Sequence, residues 1–402
     1  MGREGSQDSR IHRFMKISHR MTNIVLLARC VVRALFYGKA RQIPKHISRV
    51  IIVPDGKLGD VVCVTPVLRV VRSNFPEAWI IVGGNSSLHK ALLAESGLVD
   101  EYLEFKDDEE MIERIKTCRA DVALLTGPSF EAAALLYLAG VPLVVVPRVE
   151  EGLSPYETRS YKVLERLVTT FPYHMREYAP RERLRVLEPL GIFTDDTKKR
   201  LGFSEAANEK AKKFFIENGI NAQKDFVVGI SPSAGHKIKE WPEERFAEIA
   251  DYLIEKYHAK VILIGGSSDA EKVQKVLAHA KNAKAIRDTQ GMFNLDELKA
   301  LISHLGLFVS VDTGPIYIAE AFDVPTIDIT GPIDENEQPP RGHLHRNVVP
   351  PVRVRPELFV LNARTYDREE ALRQVRSITV ALVEREIDLL VADLKKENEI
   401  SS

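Results

Sequence analysis

Short apolar runs alternate with amphipathic stretches twice along this chain. In the first half, runs rich in β-branched residues at Val50–Val53, Trp79–Val82, Val122–Leu125 and Leu143–Val146 have the length and composition of buried strands. Between them, apolar positions recur at helical spacing over about Pro66–Asn74, Leu88–Glu95, Glu109–Thr117 and Phe130–Ala139. The pattern restarts with strands at Phe226–Ile230, Val261–Ile264, Leu307–Val311 and Thr326–Ile329, separated by helices at about Glu243–Lys256, Asp269–His279, Leu295–Ser303 and Ile316–Phe322. Strands alternating with helices predict parallel sheets, and the repetition predicts two α/β domains of one Rossmann-like architecture. The boundaries expected are a leader over 1–47, a first domain over 48–200, a second over 201–365 and a C-terminal helix over 366–402. That helix, about Glu369–Lys395, carries Leu372, Val375, Ile378, Leu382, Ile387 and Leu390 on one stripe and is expected to pack back on the first domain.

Bulk properties change this picture little. A chain of 402 residues exceeds what one core usually supports. Its charged fraction of 28% is ordinary for a globular protein. The formal net charge of −1 hides an asymmetry, because residues 1–49 hold eleven Lys or Arg against Glu4 and Asp8. The remaining body is acidic, which argues against broad nucleic-acid binding. Cys30, Cys63 and Cys118 lie far apart without metal-ligand spacing, so a reducing cytoplasm is expected.

The leader has an apolar run from Ile24 to Tyr37, interrupted by Arg29 and Arg33. It lacks the form of a secretory signal and is too short and too charged for a membrane span. Ile24, Leu27, Val31 and Leu35 fall at helical spacing among basic residues. One reading is a basic amphipathic helix on an anionic membrane surface, peripheral on the inner face of the cytoplasmic membrane. The other is a helix docked on the body behind a charged leader.

Ligands of parallel sheets bind at the carboxyl ends of the strands. In the second half those ends run into small or polar loops: Ser231-Pro-Ser233-Ala-Gly235, Gly265-Gly266-Ser-Ser268, Asp312-Thr313-Gly314 and Thr330-Gly-Pro332. Such loops before helix N-termini expose backbone N–H groups to phosphate oxygens. Lys237 and Lys239 follow the first of them and could neutralise a diphosphate, with a solvated surface as the plainer reading; Trp241 reads as a packing residue. In the first half, Val50–Val53 runs into Pro54-Asp-Gly56-Lys-Leu-Gly59-Asp60, where the two glycines are expected to let the backbone turn. Asp60 then stands at the functional end of its strand, either as a reactive carboxylate or as a local turn-former. No Asp-x-Asp occurs to hold a divalent ion at phosphates, and His343 and His345 read as solvated loop histidines.

Three segments together resemble glycosyltransferase family 9, which contains the ADP-heptose:lipopolysaccharide heptosyltransferases. They are Gly59-Asp60-Val-Val-x-x-Thr-Pro66-Val-Leu-Arg69, Ala234-Gly…Lys239-x-Trp-Pro242-x-x-Arg-Phe246 and Val309-Ser-x-Asp312-Thr-Gly-Pro315. The resemblance spans roughly residues 48–380. It implies a GT-B fold, with an acceptor domain, a donor domain and a central cleft. It implies inverting transfer of a heptose or related sugar from a nucleotide-diphosphate donor, ADP-linked, to a lipopolysaccharide-type or other lipid-linked glycan, with no cofactor or metal. Asp60 matches the family's general base. Lys239 matches the lysine at the donor phosphates, joined there by Ser233, Asp312, Thr313 and Gly314. Gly265, Gly266 and Glu271 resemble the ribose-contacting segment, and Met292 and Phe293 fall near the adenine position. Two departures stand out. Tyr317 replaces a histidine found in many members, and Gly331-Pro-Ile-Asp334-Glu replaces Gly-Pro-Thr-Asp-Pro. A nucleotide-sugar epimerase or hydrolase on the same scaffold, a silent nucleotide-sugar-binding protein and a dinucleotide oxidoreductase are the competing readings. The last is disfavoured by the absence of a G-x-G-x-x-G turn.

Overall fold

The structure is a computed structural model and describes residues 23–105 and 109–401. A helix over residues 23–37 (α1) precedes the first sheet. Then follow β1 (Arg49–Val53), α2 (Leu58–Val62), α3 (Thr65–Asn74), β2 (Trp79–Gly84), α4 (Ser86–Leu93), β3 (Glu101–Glu104), α5 (Glu109–Cys118), β4 (Val122–Leu125), α6 (Phe130–Ala139), β5 (Leu143–Glu150), α7 (Arg159–Leu164), β6 (Thr169–His174) and α8 (Ala179–Leu184). After α9 (Glu205–Glu217) comes the second unit: β7 (Val227–Ser231), α10 (Glu243–Tyr257), β8 (Lys260–Leu263), α11 (Ala270–His279), β9 (Arg287–Asp288), α12 (Leu295–Ser303), β10 (Leu307–Val311), α13 (Gly314–Ala321), β11 (Thr326–Ile329) and β12 (His345–Val348). The chain ends on α14 (Arg368–Ser377) and α15 (Val380–Ser401).

Both sheets are six-stranded and parallel, in the orders β3-β2-β1-β4-β5-β6 and β12-β11-β10-β7-β8-β9. Counted within each unit the orders are the same, so each sheet reverses direction between its first and fourth strands, where a crevice opens at the carboxyl ends. The pleat of β1 sends Val50 and Ile52 to one side and Ile51 and Val53 to the other. The layer containing Val50 and Ile52 continues through Ile262, Ala300 and Tyr317 of the second unit, so the two units share one apolar seam.

The periodicity missed the strands with little apolar signal. β3 (Glu-Tyr-Leu-Glu), the two-residue β9 and β12 lie at sheet edges or carry polar faces, and β6 is interrupted by Pro172. The C-terminal helix differs in two ways. It breaks between α14 and α15, where Ile378 is extended and its carbonyl accepts from Trp241 Nε1 at 2.9 Å and from Arg245 at 2.6 Å. It also does not return to the first unit: Val383, Ile387 and Leu390 pack with Phe246, Val309 and Ile327 of the second. The stripe matched that face because any apolar groove would satisfy it. His345 is no loop residue either. It opens β12 with Nδ1 2.9 Å from Thr326 Oγ1, and burial holds its pKa down at about 4.

In the leader, residues 1–22 lie outside the described residues. Helix α1 docks on α6 through Leu26, Leu27, Cys30 and Ala34, and Tyr137 donates to the Gly38 carbonyl at 2.5 Å. Its other face leaves Ile24, Val31, Leu35 and Phe36 exposed, the last two at 77%. Three of the four residues of the stripe seen in the sequence therefore point away from the body.

Candidate active site

Asp60 sits in α2, just beyond β1, at the crevice of the first sheet. Gly56 before it has φ +77°, and a Cβ there would fall 2.1 Å from the Asp60 carboxylate, so this turn requires glycine twice over. Asp60 Oδ2 accepts from the Lys57 N–H at 2.8 Å, the local bond expected of a turn-former. Its Oδ1 accepts from Arg183 of α8 at 3.1 Å. The Arg183 side chain is wholly buried and also holds Asp55 through two bonds of 3.1 Å, while donating to Gln338 of the second unit at 3.0 Å. One guanidinium thus faces two carboxylates. Burial pushes both upward, but the Arg183 charge and hydrogen bonds, with a bond from Thr126, bring Asp55 below its ordinary value. Asp60 stays raised by burial despite Arg183, with the neighbouring Asp55 charge adding to the rise. Asp60 is therefore the more basic of the two, and 22% of its side chain remains open.

The second sheet contributes a different edge. Ser233, Gly265, Gly266, Phe293 and Thr313 line a cavity of about 320 Å³ at the carboxyl ends of β7, β8 and β10, together with Asp269. Lys239 lies at the end of a single 3-10 turn, with its Nζ 2.6 Å from Asp312 Oδ2; the Tyr317 hydroxyl donates to the other Asp312 oxygen. Lys237 is exposed. Asp328, buried on β11 with no hydrogen-bond partner for either oxygen among the described residues, is pushed well upward by burial and by the neighbouring Asp312 charge.

Several candidates fall elsewhere. Glu271 is exposed and pairs with Lys275 one turn along α11; Asp269, whose carboxylate accepts from the Gly266 N–H at 2.7 Å, occupies the cavity wall instead. Met292 is 51% exposed and offers its carbonyl to Lys210. Gly314 faces Leu58, where a Cβ would come within 2.5 Å, and Gly59 faces Tyr317, where one would come within 2.7 Å. Gly59 has no positive φ, so its role is close approach between α2 and α13 and not the expected backbone turn.

That approach closes the cleft. A cavity of about 200 Å³ is lined by Lys57 and Asp60 from one unit and by Lys239, Asp312, Tyr317 and Gln338 from the other. Nearby, Glu337 of the second unit accepts from the Arg176 N–H at 2.8 Å through its carboxylate and from the Ala179 N–H at 2.6 Å through its carbonyl. Among the described residues no group of three His, Cys, Asp or Glu could hold a metal ion.

The family model "Glycosyltransferase family 9 (heptosyltransferase)" matches residues 109–358. The chain belongs to glycosyltransferase family 9. It is 25% identical over 287 residues to lipopolysaccharide heptosyltransferase 3 of Escherichia coli K12, covering 69% of this chain and 80% of that protein. Among solved structures it superposes on the E. coli ADP-heptose lps heptosyltransferase II with a TM-score of 0.67 at 19% identity, over 86% of this chain and 99% of that one. It also superposes on E. coli heptosyltransferase WaaC with ADP, with a TM-score of 0.59 at 16% identity, over 86% and 98% of the two chains. This family 9 glycosyltransferase accordingly has the expected GT-B architecture.

The sequence reading overlooked Asp55, Arg183, Gln338 and Asp269. Asp55 stands in the same loop as Asp60 and carried a signal, a second carboxylate at a strand end. Arg183 and Gln338 carried none, since each lies in a charged or Pro-rich stretch and reaches Asp60 only through the fold.

Proposed function

We propose that this family 9 transferase moves a sugar of the heptose class from an ADP-linked donor to a hydroxyl of a lipopolysaccharide-type acceptor, with inversion and without a metal. One observation carries the reading: Asp60 from the first unit and Lys239 with Asp312 from the second line a single cavity. The division falls near residue 200, with 48–200 as the acceptor side and 201–402 as the donor side. The names of its relatives support the sugar, the nucleotide and the acceptor class.

In this reading Asp60 takes the proton of the acceptor hydroxyl as that oxygen bonds to the anomeric carbon. The bond from that carbon to the diphosphate oxygen breaks on the opposite face, which inverts the centre. Lys239 exchanges Asp312 for the departing diphosphate, and the backbone N–H groups around Thr313 and Gly314 at the start of α13 share that charge. The nucleoside occupies the second-unit cavity, its base beside Phe293 and its ribose hydroxyls donating to Asp269.

The test is a titration with ADP, UDP, GDP and NAD, followed by transfer assays with and without chelator, the anomer being read by NMR. Tightest binding of ADP, chelator-resistant transfer and an inverted anomer are expected. Nucleotide release that needs no acceptor would instead point to a hydrolase.

The exposed face of α1 is the second element of the proposal. Leu35, Phe36, Val31 and Val32 beside Lys39 form an apolar face with a basic flank, suited to an anionic leaflet on the cytoplasmic side. No helix among the described residues is long and apolar enough to cross a membrane. Co-sedimentation with anionic vesicles should fall with salt and with Leu35→Ser/Phe36→Ser. Equal sedimentation of that variant would sink the idea.

A further inference from the structure

The loop between β11 and β12 carries the departure at Gly331-Pro-Ile-Asp334-Glu and runs on through Glu337-Gln338-Pro-Pro-Arg341. Three residues of this second-unit loop grip the start of α8 in the first unit. Glu337 takes the Arg176 N–H on its carboxylate and the Ala179 N–H, the first of α8, on its carbonyl. The Arg341 guanidinium lies 4.1 Å from the ring centroid of Tyr178, the residue before α8. These two residues already dock the loop. Gln338 between them reaches further in. Its buried side chain accepts from Arg183 Nη1 at 3.0 Å, while Nε and Nη2 of the same guanidinium go to Asp55 and Asp60. Gln338 also lines the reaction cavity with Asp60, and its side chain draws the Asp60 pKa downward against the effect of burial.

A buried guanidinium is held where its partners are, because an N–H left without one inside a protein is costly. A base that must meet a hydroxyl at one point needs its own partners fixed to within a fraction of an ångström. Gln338 meets both demands from across the cleft. We propose that Gln338 is a positioning residue of the transfer reaction: it holds the Arg183 fork and the Asp60 carboxylate in register, so the base is completed only when the loop of the second unit sits against α8. The proposal rests on the reading of Asp60 as the base. It gives the departing loop a task, which is to make proton removal in one unit depend on the seating of the other.

The test compares Gln338→Met, which keeps the length and loses the amide, with Gln338→Glu, which keeps the acceptor for Arg183 and sets a like charge beside Asp60. The Asp60 titration is followed by NMR in the full chain labelled with carboxyl-¹³C aspartate and saturated with ADP, its signal assigned by its loss in Asp60→Asn. Turnover is measured with ADP-heptose and a deacylated lipopolysaccharide core. Gln338→Met should move the Asp60 midpoint to higher pH, and Gln338→Glu should move it further. The acid limb of turnover should move with it. The charged and titratable groups around Asp60 are Asp55, Lys57 and Arg183 on its own unit and His236, Lys239, Asp312, Tyr317, Asp334 and Glu337 across the cavity. Both variants keep all of them. Gln338→Met should lower kcat by about tenfold, the scale of one buried hydrogen bond, with ADP affinity within about twofold. If Gln338→Met lowers the melting temperature, Gln338→Glu supplies the reading. An unmoved midpoint, or an unchanged kcat, in variants of a chain whose turnover collapses on Asp60→Asn overturns the proposal alone. Turnover that survives Asp60→Asn overturns the reading of the base and the proposal with it.

Discussion

The two edges that face each other across the cleft are built on the same strand order but by different means. The second-unit edge is small side chains and backbone: Ser233, Gly265, Gly266 and Thr313 around a cavity, with Lys239 as its cation. The first-unit edge is a buried charge network in which Arg183 ties Asp55 and Asp60 to Gln338. Backbone N–H groups suit a diphosphate whatever sugar follows it, so the donor edge can be generic. A base must be held at one point with a raised pKa, and that takes side chains from several elements. On the proposed assignment of roles, the donor edge is a surface and the acceptor edge a constellation.

The most direct way to break this comparison is Asp60→Asn. A general base contributes about 10²–10⁴-fold, so turnover should fall by that much when transfer to acceptor is assayed. Asn keeps the acceptor for the Lys57 N–H, and Arg183 retains both bonds to Asp55, so the melting temperature and donor affinity should stay near wild type. The base acts deprotonated, and burial holds Asp60 above the usual carboxylate range. The rate of the unaltered enzyme should therefore decline on acidification from a higher pH than a free aspartate would give. A turnover within a few-fold of wild type in the variant would remove Asp60 from the mechanism.

Lys239→Ala probes the opposite edge. A charge-assisted contact is worth about 1.5–3 kcal/mol, so ADP should bind at least about tenfold more weakly while adenosine is unaffected. Asp312 would then keep only Tyr317 of these two partners, and repulsion between it and the diphosphate adds to the loss. Unchanged ADP affinity in a nucleotide titration would return Lys239 to a structural ion pair.

Gly59→Ala tests whether the edges must meet. The new Cβ would lie 2.7 Å from Tyr317 Cδ2, and such overpacking costs about 1–3 kcal/mol. Binding of ADP, which the proposal confines to the second unit, should be retained while turnover falls several-fold. Tyr317→Leu in the same chain should recover part of the rate by making room. Loss of ADP binding instead would mean that the two edges do not act separately.

These contrasts also explain what was legible. The loops proposed to hold the donor show in the sequence because glycine and serine recur at the strand ends, and Asp60 shows because a two-glycine loop isolates it. Arg183 stayed hidden because its role depends on α8 folding against the crevice, a contact across 123 residues of chain. Gly59 is visible in the sequence but reads there as a turn: composition marks a glycine, and only packing distinguishes a turn from a close approach between two helices. The edge strands β3, β9 and β12 were missed because their polar faces break the alternation by which buried strands are recognised.

The smallest expected effect separates two carboxylates that sequence spacing could not. Glu271 falls in the segment that resembles the family's ribose-contacting one, yet its side chain is 84% exposed and pairs with Lys275 on the outer surface of α11. Asp269, two residues earlier, lines the second-unit cavity proposed for the nucleotide, and its carboxylate already accepts from the Gly266 N–H. A carboxylate fixed by such a bond has lone pairs left for ribose hydroxyls, and it pays little entropy to present them. Asp269→Asn should weaken ADP by roughly tenfold, the scale of a hydrogen bond to a charged group. It should discriminate ADP from its 2′,3′-dideoxy analogue less well than the unaltered chain does. Glu271→Gln should leave ADP affinity within about twofold, because an exposed ion pair contributes little beyond its own surface. Calorimetry on the two variants side by side reads the difference. If Glu271→Gln is the damaging change and Asp269→Asn the silent one, the nucleotide does not lie in the cavity at the ends of β7, β8 and β10, and the proposed donor edge is wrong.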